Sequence, residues 1–470
     1  MKSISIVAAA VSAALFAGLA SAAVPAITDA NAQVKLVISG SSAFQAAFES
    51  ELSSAASSVC ASGSYIKYLP TVTSGVVPGL AAYTCNSKSD YFGASTGVKT
   101  VLIAYRTEGG SVYGFSPVVR SSNKVLRLAV NDTNCSYTGT AGTCAVGSGY
   151  SVVADTLVSP TAVVDANSDL GLADLEATQF QGTNYPDASL AAKLQPALSK
   201  AERTTLKASG TALVLQSFAF YVRNTASATG AAAELNALTS LSRETLGAIY
   251  SGTYTDWNQV PKNDGTNATV VSAANSLPIV ACRREAGSGT QVSASIFLHG
   301  TNCGGSDLFV TTGNPGNLGS VITNTSTANM RTCLTSNAGA IGYLSAEAGR
   351  TGLQMIKVDG QGVTGQTTAL TNTTLAALGV ATASGDYGFA YELVAIKKPG
   401  LAGDTLKLAN ALITTAQKQT TGPTTPNVTF LPTGDNAGNA VFPLTTPAGK
   451  QPVSCFSRSG NSCAPLNGAC

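Results

Sequence analysis

Residues 278–298, PIVACRREAGSGTQVSASIFL, decide how this chain is interpreted. The apolar residues 278–282 predict a buried strand, and residues 287–290, Gly-Ser-Gly-Thr, predict a turn after it. Behind this turn, Val292 and Ile296 lie four positions apart, which is the spacing of one helix face. The stretch therefore predicts a strand, a glycine-rich turn and a helix in direct succession.

This succession of elements can hold an oxyanion. Glycine lets the backbone approach a ligand closely, and the N–H groups of a helix's first turn have no partners within the helix. Ser288 and Thr290 add hydroxyl donors, and Arg283 or Arg284 would add a charge and a planar fork of N–H groups. Adjacent side chains of a strand point in opposite directions, so only one of the two arginines needs to face the anion. A disulfide at Cys282 would stiffen the edge of such a site.

Composition limits the size and the partners of the protein. The 470 residues favour two domains or more, only 11% of them are charged, and the formal net charge is +2. Such a chain has no basic surface field to attract nucleic acid, which is therefore not expected as a partner. A charged ligand has to be bound by a few specific groups.

The first 22 residues have the pattern of a secretory signal peptide. Lys2 supplies the basic start, residues 4–19 the apolar segment and residues 20–22, Ala-Ser-Ala, the cleavage motif. No other run approaches the roughly 18 apolar residues that a membrane span needs. The first cysteine, Cys60, lies far from the cleavage motif. We therefore expect an exported protein, periplasmic or secreted, that is soluble and carries no lipid anchor.

Ten cysteines in an exported chain indicate disulfides. Local pairs such as Cys60 with Cys85 and Cys135 with Cys144 are candidates, although spacing does not fix the connectivity. The chain has no C-x-x-C pair, and His299 is its single histidine, so a zinc site is not favoured.

Two more predicted strands run into loops with small hydroxyl residues. Residues 34–38 predict a strand followed by the loop 39–42, Ser-Gly-Ser-Ser. Residues 100–105 predict another strand before the Gly- and Ser-bearing loop 106–111. Several such loops in one chain favour a shared anion site.

Strands and helices alternate along most of the chain, which favours an α/β fold with mainly parallel sheets. Residues 55–98 and 121–160 are rich in Ser and Gly and carry cysteines, so we interpret them as insertions, the second one irregular. The residues beyond 420, with three further cysteines, predict a disulfide-pinned tail. Other predicted elements are a helix at 189–207, a strand at 212–222, a helix at 242–250, a strand at 339–344, a strand at 389–397 and a helix at 404–417.

Four motifs, in order along the chain, carry a resemblance to a known family. They are ISGSSAF (38–44), LSRETLGAIYSGTYTDWNQV (241–260), VACRREAGSGTQVSASIFL (280–298) and GAIGYLSAEAG (339–349). With them the chain resembles the phosphate-binding proteins of bacterial phosphate ABC transporters, which are type II periplasmic binding proteins. The resemblance covers the second half of the chain well and the first half only near its start.

The resemblance implies two α/β lobes with mixed, mainly parallel sheets, a central cleft and two crossing hinge strands. After a signal peptide at 1–22, the first lobe would comprise residues 23–215 plus 392–470, including the Cys-bearing insertions. The second lobe would comprise residues 216–391. The family further implies a monomer without catalysis or cofactor that captures inorganic phosphate in the cleft. An ABC-transporter permease would be its partner in uptake.

The resemblance also assigns the ligand contacts to loops of both lobes. They are Ser42, Ala43, Phe44, Ser111, Asp174, Arg284, Ser288, Gly289 and Thr290. Asp174 would give selectivity, because phosphate at neutral pH keeps a proton that a buried carboxylate accepts, whereas the same carboxylate repels an anion without a proton.

Two departures from the family pattern concern the neighbours of these contacts. The family often has an Asp between the arginine and the glycine-rich turn, where it holds the arginine in place. Here Glu285 and Ala286 occupy these positions, which leaves open whether Glu285 replaces that Asp. Ala43 stands where many members have a Thr, so one donor is lost.

Other functions stay open from the sequence. A protein of the same fold could bind another oxyanion, or scavenge phosphate at the surface or outside the cell without a transporter, and the insertions and cysteines motivate this alternative. A hydrolase with Ser288 as nucleophile is disfavoured, because residues 286–289 do not match G-x-S-x-G and His299 is the one imidazole available. The only feature that favours a structural or adhesive protein is the high content of Ser, Thr and Gly.

Overall fold

The structure is a computed structural model of the chain. The described residues are 23–42, 45–55, 57–72, 79–151, 153–225, 227–262, 264–299, 320–346, 351–362, 365–366, 378, 382, 386–418, 430–431, 456–457, 462–463 and 467–468. The predicted signal peptide at 1–22 lies outside them, as do Ala43 and Phe44 of the predicted site.

Twenty strands occur in the described residues. They are Val34–Gly40 (β1), Ile66–Val72 (β2), Leu80–Asn86 (β3), Thr100–Arg106 (β4), Val125–Leu128 (β5), Cys135–Thr138 (β6), Ala141–Val146 (β7), Val163–Ala166 (β8), Leu170–Ala173 (β9), Thr211–Arg223 (β10), Ser240–Leu241 (β11), Val280–Arg284 (β12), Ser320–Asn324 (β13), Ala340–Ser345 (β14), Leu353–Val358 (β15), Gly365–Gln366 (β16), Ala390–Lys397 (β17), Phe430–Leu431 (β18), Phe456–Ser457 (β19) and Asn467–Gly468 (β20).

Eight α-helices accompany these strands in the described part of the chain. They are Gln45–Ser53 (α1), Ser116–Val119 (α2), Lys200–Ser209 (α3), Ala231–Asn236 (α4), Arg243–Tyr250 (α5), Gly289–His299 (α6), Thr327–Ser336 (α7) and Gly403–Lys418 (α8). Short 3₁₀ helices lie at Ser111–Gly114, Ala177–Gln179, Gly182–Asn184, Ala192–Leu194 and Trp257–Gln259. None of the described helices is long and apolar enough to cross a lipid bilayer.

Sixteen of the strands join into one mixed sheet. Its main path runs β13-β12-β14-β10-β17-β9-β1-β4-β3-β2-β7-β6, with β11, β15, β16 and β18 attached at the side. Each half has a parallel centre, because β1 lies between β4 and β9, and β12 lies between β13 and β14. The carboxyl ends of parallel strands lie at the same edge of a sheet, so the loops after β1, β4 and β9 gather there. The mixed α/β fold predicted from the sequence is confirmed.

Two antiparallel strands connect the halves of the sheet. The first part of β10 pairs with β17, and its second part pairs with β14 and β15. In turn, β17 returns to the first half and pairs with β9. With 13 residues, β10 is thus long enough to pair with strands of both halves, and β17 joins it to the first half.

In each lobe a helix packs against the parallel strands of the sheet. In the first lobe, Leu36 and Ile38 of β1 are buried together with Leu408 and Leu412 of α8. The helix α8 matches the predicted helix at 404–417, and its apolar residues repeat at four-residue intervals. These contacts fix the first-lobe loops that follow β1 and β9.

In the second lobe, α7 packs on β14. A Cβ added at Gly342 of β14 would lie 2.7 Å from the Met330 side chain of α7, so the absence of a side chain at Gly342 allows the helix to approach. Trp257 is fully buried and its indole N–H donates to the carbonyl oxygen of Gly339 at 2.9 Å. The tryptophan therefore stabilises the start of β14.

The insertions are more regular than the sequence suggests. Residues 55–98 contribute β2 and β3, and residues 121–160 contribute β5, β6 and β7, whereas we expected an irregular segment there. The strands β2, β7 and β6 extend the large sheet at its edge. Short strands of this kind are marginally stable alone, and pairing with the existing sheet edge supplies the order.

The predicted helix at 189–207 is wrong in its first half. A 3₁₀ turn at Ala192–Leu194 precedes Pro196, which has no N–H to continue a helix. The regular helix α3 begins after Ser199, whose hydroxyl accepts from the Glu202 N–H while the Glu202 carboxylate accepts from the Ser199 N–H. With these capping residues, the regular helix starts eleven residues later than predicted.

Three disulfides join described cysteines. Both local pairs expected from the sequence are confirmed, and a third bridge ties the strand before the arginine pair to α7. The bridges are Cys60–Cys85, Cys135–Cys144 and Cys282–Cys333. Closing a 51-residue separation, the last bridge restricts the unfolded chain most.

Candidate functional site

The predicted site residues lie in loops at the strand ends of both lobes. Ser41 and Ser42 follow β1, Ser111 follows β4, and Asp174 follows β9. From the second lobe, residues 284–290 connect the end of β12 to the start of α6. The fold therefore brings together four segments that are far apart in sequence.

Asp174 is the residue on which both lobes converge. Its side chain is buried, with 4% exposed, and its carboxylate accepts hydrogen bonds from the Ser41 hydroxyl and, at 3.1 Å, from the Thr290 hydroxyl. The Asp174 N–H donates to the Ser111 Oγ at 3.0 Å. Burial raises the pKa of Asp174, while the bonds from Ser41 and Thr290 and the charge of Arg284 oppose that rise.

Backbone contacts hold the loops of the two lobes against each other. The Val112 N–H donates to the carbonyl oxygen of Gly287 at 3.0 Å. Gly110 and Gly287 have φ values of 73° and 89°, in the left-handed region that favours glycine. A Cβ added at Gly110 would lie 2.9 Å from Cα of Ser288. The glycines thus permit an approach that side chains would prevent.

Gly289 has the same function at the start of α6. A Cβ at this position would collide with the Ser111 hydroxyl and would lie 2.8 Å from Oδ2 of Asp174. With glycine there, the first turn of α6 points its N–H groups toward the loops of the first lobe.

The guanidinium of Arg284 is buried and fixed by a loop of the second lobe. Its Nε donates to the carbonyl oxygen of Asn324 at 3.1 Å, and Nη2 donates to that of Thr325 at 3.3 Å. A third contact joins Nη1 to the Thr327 Oγ1 at 3.5 Å. A guanidinium has five N–H donors, so the fork keeps donors for a ligand.

Arg283 lies in a different environment from Arg284. The charge of Arg283 lowers the pKa of Tyr250, against the larger effect of burial, whereas that of Arg284 acts on Asp174. The Arg283 Nε donates to the Arg284 carbonyl oxygen at 3.3 Å. The strand alternation thus separates the two cations, and Arg284 is the one coupled to Asp174.

Ser42 approaches the second lobe through Thr327. Their hydroxyl oxygens lie 3.3 Å apart, and Thr327 in turn contacts Arg284. Ser42 is half-buried, whereas Ser41 beside it is fully buried and contacts Asp174.

The buried Ser288 sits directly before α6. Its hydroxyl accepts from the Gln291 N–H at 3.4 Å, and the Gln291 side chain accepts from the Arg284 N–H at 3.1 Å. The Tyr343 hydroxyl of β14 bonds to the same Gln291 side chain. Gln291 therefore links the helix start, the arginine strand and β14.

A protein-family model matches more than half of the chain. Residues 159–419 match the family model of the PBP superfamily domain. The chain belongs to the PBP superfamily. The matched segment includes Asp174, Arg284 and residues 288–290 but begins after Ser42 and Ser111. No curated protein matches the chain.

Solved structures resemble this PBP-superfamily chain distantly. A phosphate-binding protein from Stenotrophomonas maltophilia is 15% identical, with 64% of this chain and 82% of that one covered and a TM-score of 0.31. An ABC-type phosphate transport receptor from Vibrio cholerae is 18% identical, with 58% and 82% covered and a TM-score of 0.30. An ancestral soluble variant of the human phosphate-binding protein is 17% identical, with 68% and 87% covered and a TM-score of 0.34.

Glu285 does not hold the arginine in this PBP-superfamily site. Among the described residues its Oε1 has no hydrogen-bond partner, and the carbonyl oxygens of Asn324 and Thr325 orient Arg284 instead. Burial raises the pKa of Glu285 to about 8; Arg284 opposes the rise and Glu108 adds to it. Glu285 therefore does not take the place of the Asp that often holds the arginine in the family.

A buried charged cluster lies next to Glu285. Arg106, Glu108 and Tyr150 of this cluster line a small cavity between the loops. Arg106 pairs with Asp155 at 2.5 Å and donates to the Tyr150 hydroxyl at 2.8 Å. Burial raises the pKa of Glu108, and the charges of Arg106 and of Arg284 from the other lobe oppose that rise. The cluster thus adds an electrostatic connection between the lobes.

Several residues that shape the site were not predicted from the sequence. They are Ser41, Gln291, Asn324, Thr325, Thr327 and Tyr343. Ser41 had a signal, since it stands beside Ser42 in the same serine-rich loop. The segment 324–327 had none, because its contacts with Arg284 depend on the parallel pairing of β12 with β13.

Proposed function

We propose that the protein captures inorganic phosphate in the cleft between its two lobes. The observation that carries the proposal is the buried Asp174 carboxylate. It accepts a hydrogen bond from Thr290 at the start of α6, and the charge of Arg284 opposes the rise in its pKa that burial causes. An acceptor beside a set of N–H and O–H donors suits an oxyanion that still carries a proton.

The donors for the phosphate oxygens would come from both lobes. Ser42, Ala43, Phe44 and Ser111 would contribute from the first lobe, and Arg284, Ser288, Gly289 and Thr290 from the second. Low overall charge agrees with this assignment, because one arginine and neutral donors then supply most of the binding.

The lobes that close on the anion would be residues 23–215 plus 392–470 and residues 216–391. Strands β10 and β17 cross between them and would be the hinge. We infer export to the periplasm or the exterior and, as the role of the captured phosphate, delivery to an ABC-transporter permease by a monomer. Support comes from membership of the PBP superfamily and from the disulfides.

Binding without catalysis is part of the proposal. A serine nucleophile needs a base within hydrogen-bond reach. Ser288 precedes α6 and His299 ends it, so the two residues lie about 16 Å apart along the helix. The Ser288 hydroxyl instead caps the Gln291 N–H.

A second candidate is capture of an oxyanion that carries no proton. Burial raises the pKa of Asp174, and a protonated carboxyl would donate to such an anion instead of repelling it. A scavenging role without a transporter would use the same site.

Titration calorimetry with phosphate and with sulfate tests the proposal and separates these candidates. We expect phosphate to bind with a dissociation constant of about 1 μM or tighter, near −8 kcal/mol, and sulfate to bind far more weakly, with an affinity measured at high sulfate concentration. Heat from sulfate and none from phosphate would contradict phosphate capture and favour the second candidate.

A further inference from the structure

A few described residues near the C-terminus lie close to the candidate site. Strands β19 and β20 pair antiparallel, with Phe456 opposite Gly468 and Ser457 opposite Asn467. Ser462 and Cys463 lie in a turn between them in sequence, and Cys463 is disulfide-bonded. We call these described residues, 456–457, 462–463 and 467–468, the tail hairpin.

The turn of the tail hairpin contacts the buried carboxylate of Glu176. The Ser462 N–H lies 3.0 Å from each of the two carboxylate oxygens, and the Ser462 hydroxyl donates to Oε2. The Gln179 side chain donates to Oε1 at 2.8 Å, and the Lys207 ammonium lies 3.7 Å away. Glu176 is 3% exposed, so these contacts take the place of the hydrogen bonds that water would make to its carboxylate.

Glu176 stands two residues after Asp174, on the same turn. Leu175 between them is fully buried, and Glu176 is the N-cap of the short 3₁₀ helix that follows. The turn is therefore held at one end by the bonds of Asp174 with Ser41 and Ser111, and at the other end by the tail hairpin.

We propose that the tail hairpin positions Asp174 for anion selection, with Glu176 and Ser462 as positioning residues. The proposal rests on the proposed function, in which the Asp174 carboxylate accepts the proton of phosphate. A hydrogen bond weakens steeply when its geometry departs from linear, so a shift of the turn would misalign this acceptor. The tail hairpin would then set selectivity through the position of Asp174.

The second-lobe donors do not depend on the tail hairpin. Arg284 is held by the carbonyl oxygens of Asn324 and Thr325, and Ser288 by its bond with Gln291. Loss of the hairpin contact should therefore reduce discrimination between phosphate and sulfate more than it reduces attraction for anions in general.

The first test compares anion binding by Glu176→Gln and Ser462→Pro with binding by the unaltered protein. Glu176→Gln keeps the side-chain shape but replaces the carboxylate that accepts from the Ser462 N–H with an uncharged amide. Ser462→Pro removes both Ser462 donors, the N–H and the hydroxyl. Each variant should bind phosphate about tenfold more weakly, as for the loss of a hydrogen bond to a charged group. The ratio of phosphate to sulfate affinity should also fall in each variant. The double variant should bind phosphate no more weakly than either single variant, because both changes remove the same contact.

The chain offers a matched control and a milder variant. Asp187 is a first-lobe carboxylate that accepts from the N–H and the hydroxyl of Ser189, yet it is exposed. Asp187→Asn should leave phosphate affinity unchanged. If Ser462→Pro fails to fold, Ser462→Ala removes the hydroxyl alone and should weaken phosphate binding about threefold.

The second test is hydrogen exchange without ligand. Amides of residues 174–180 should exchange at least about tenfold faster in Glu176→Gln and Ser462→Pro than in the unaltered protein. This readout stands even if calorimetry shows that the protein binds no phosphate, which would contradict the proposed function separately. Unchanged exchange, or an equal loss of affinity for phosphate and sulfate, would overturn the positioning role.

Discussion

The Thr290 hydroxyl lies 3.1 Å from Oδ2 of Asp174, and this hydrogen bond joins the start of α6 in one lobe to the end of β9 in the other. The remaining carboxylate oxygen of Asp174 accepts from Ser41 of the first lobe. One buried side chain thus receives donors from both lobes, which makes Asp174 a direct link between the two lobes at the candidate site.

Asp174→Asn should invert the anion preference. The amide can donate to an anion without a proton, and it no longer repels such an anion by charge. We expect phosphate affinity to fall about tenfold to a hundredfold, a range typical of one lost charge-assisted hydrogen bond. Sulfate affinity should rise. Calorimetry with both anions measures the change, and an unaltered ratio of the two affinities would argue against Asp174 as the acceptor.

Arg284→Lys should lose most of the phosphate affinity. A lysine ammonium cannot contact the carbonyl oxygens of Asn324 and Thr325 and still present a planar fork to the ligand. A loss of about a hundredfold or more is expected for a desolvated charged contact.

Arg283→Lys is the matched control for this prediction. It changes a neighbouring arginine of equal burial, 5% exposed, whose charge acts on Tyr250. Its phosphate affinity should stay within about threefold of the unaltered protein, a change of well under 1 kcal/mol. Equal losses in the two variants would show that fold stability, not ligand contact, explains the effect.

Gly289→Ala should keep the lobes from meeting. The added methyl group would collide with the Ser111 hydroxyl and lie 2.8 Å from Asp174 Oδ2. Overpacking of this kind costs about 1–3 kcal/mol, so phosphate affinity should fall about tenfold to a hundredfold. Small-angle scattering with phosphate should show a more open molecule than the unaltered protein under the same conditions.

Gly247→Ala provides the comparison for this variant. Gly247 lies in α5, and the nearest atom to an added Cβ is the Leu298 carbonyl oxygen at 3.9 Å, an ordinary contact. Alanine has the better helix propensity, so this variant should gain about 0.5–1 kcal/mol in unfolding free energy. Its phosphate affinity should not change. Wild-type affinity in Gly289→Ala would refute the close approach at α6.

The free energy of unfolding should fall as pH rises from about 5 to 9 because of Glu285. Burial raises the pKa of Glu285 from 4.5 to about 8, so the folded protein keeps a proton that the unfolded chain releases. This contribution is complete below the unfolded pKa and is lost as pH rises through the folded pKa. Glu108 and Asp174, whose pKa values are also raised, act in the same direction.

Glu285→Gln should flatten this dependence. At pH 9 the variant should be more stable than the unaltered protein by on the order of 5 kcal/mol, since the pKa of Glu285 rises from 4.5 to about 8 and one pKa unit corresponds to about 1.4 kcal/mol. Glu244→Gln, at an exposed position of α5, should follow the unaltered protein. Denaturant unfolding at pH 5, 7 and 9 is the measurement, and parallel curves for Glu285→Gln and the unaltered protein would rule out Glu285 as the source.

Local elements of the site could be predicted from the sequence alone. The stretch 278–298 predicts a strand, a turn and a helix, and the structure has β12, the turn and α6 there. The helix predicted at 242–250 corresponds to α5, and the Ser242 hydroxyl caps it by accepting from the Thr245 N–H. Such features arise from contacts between residues that are close in sequence, so periodicity and capping residues reveal them.

The arrangement of these elements was decided by the tertiary structure. Thr327 lies 43 positions from Arg284 and Ser462 lies 286 positions from Glu176, yet both contacts position groups at the site. Ser41 and Ser42 are adjacent in one serine-rich loop, and only the path of β1 decides that Ser41 contacts Asp174. These contacts depend on strand order, register and burial, which are properties of the packed sheet and not of any local sequence pattern.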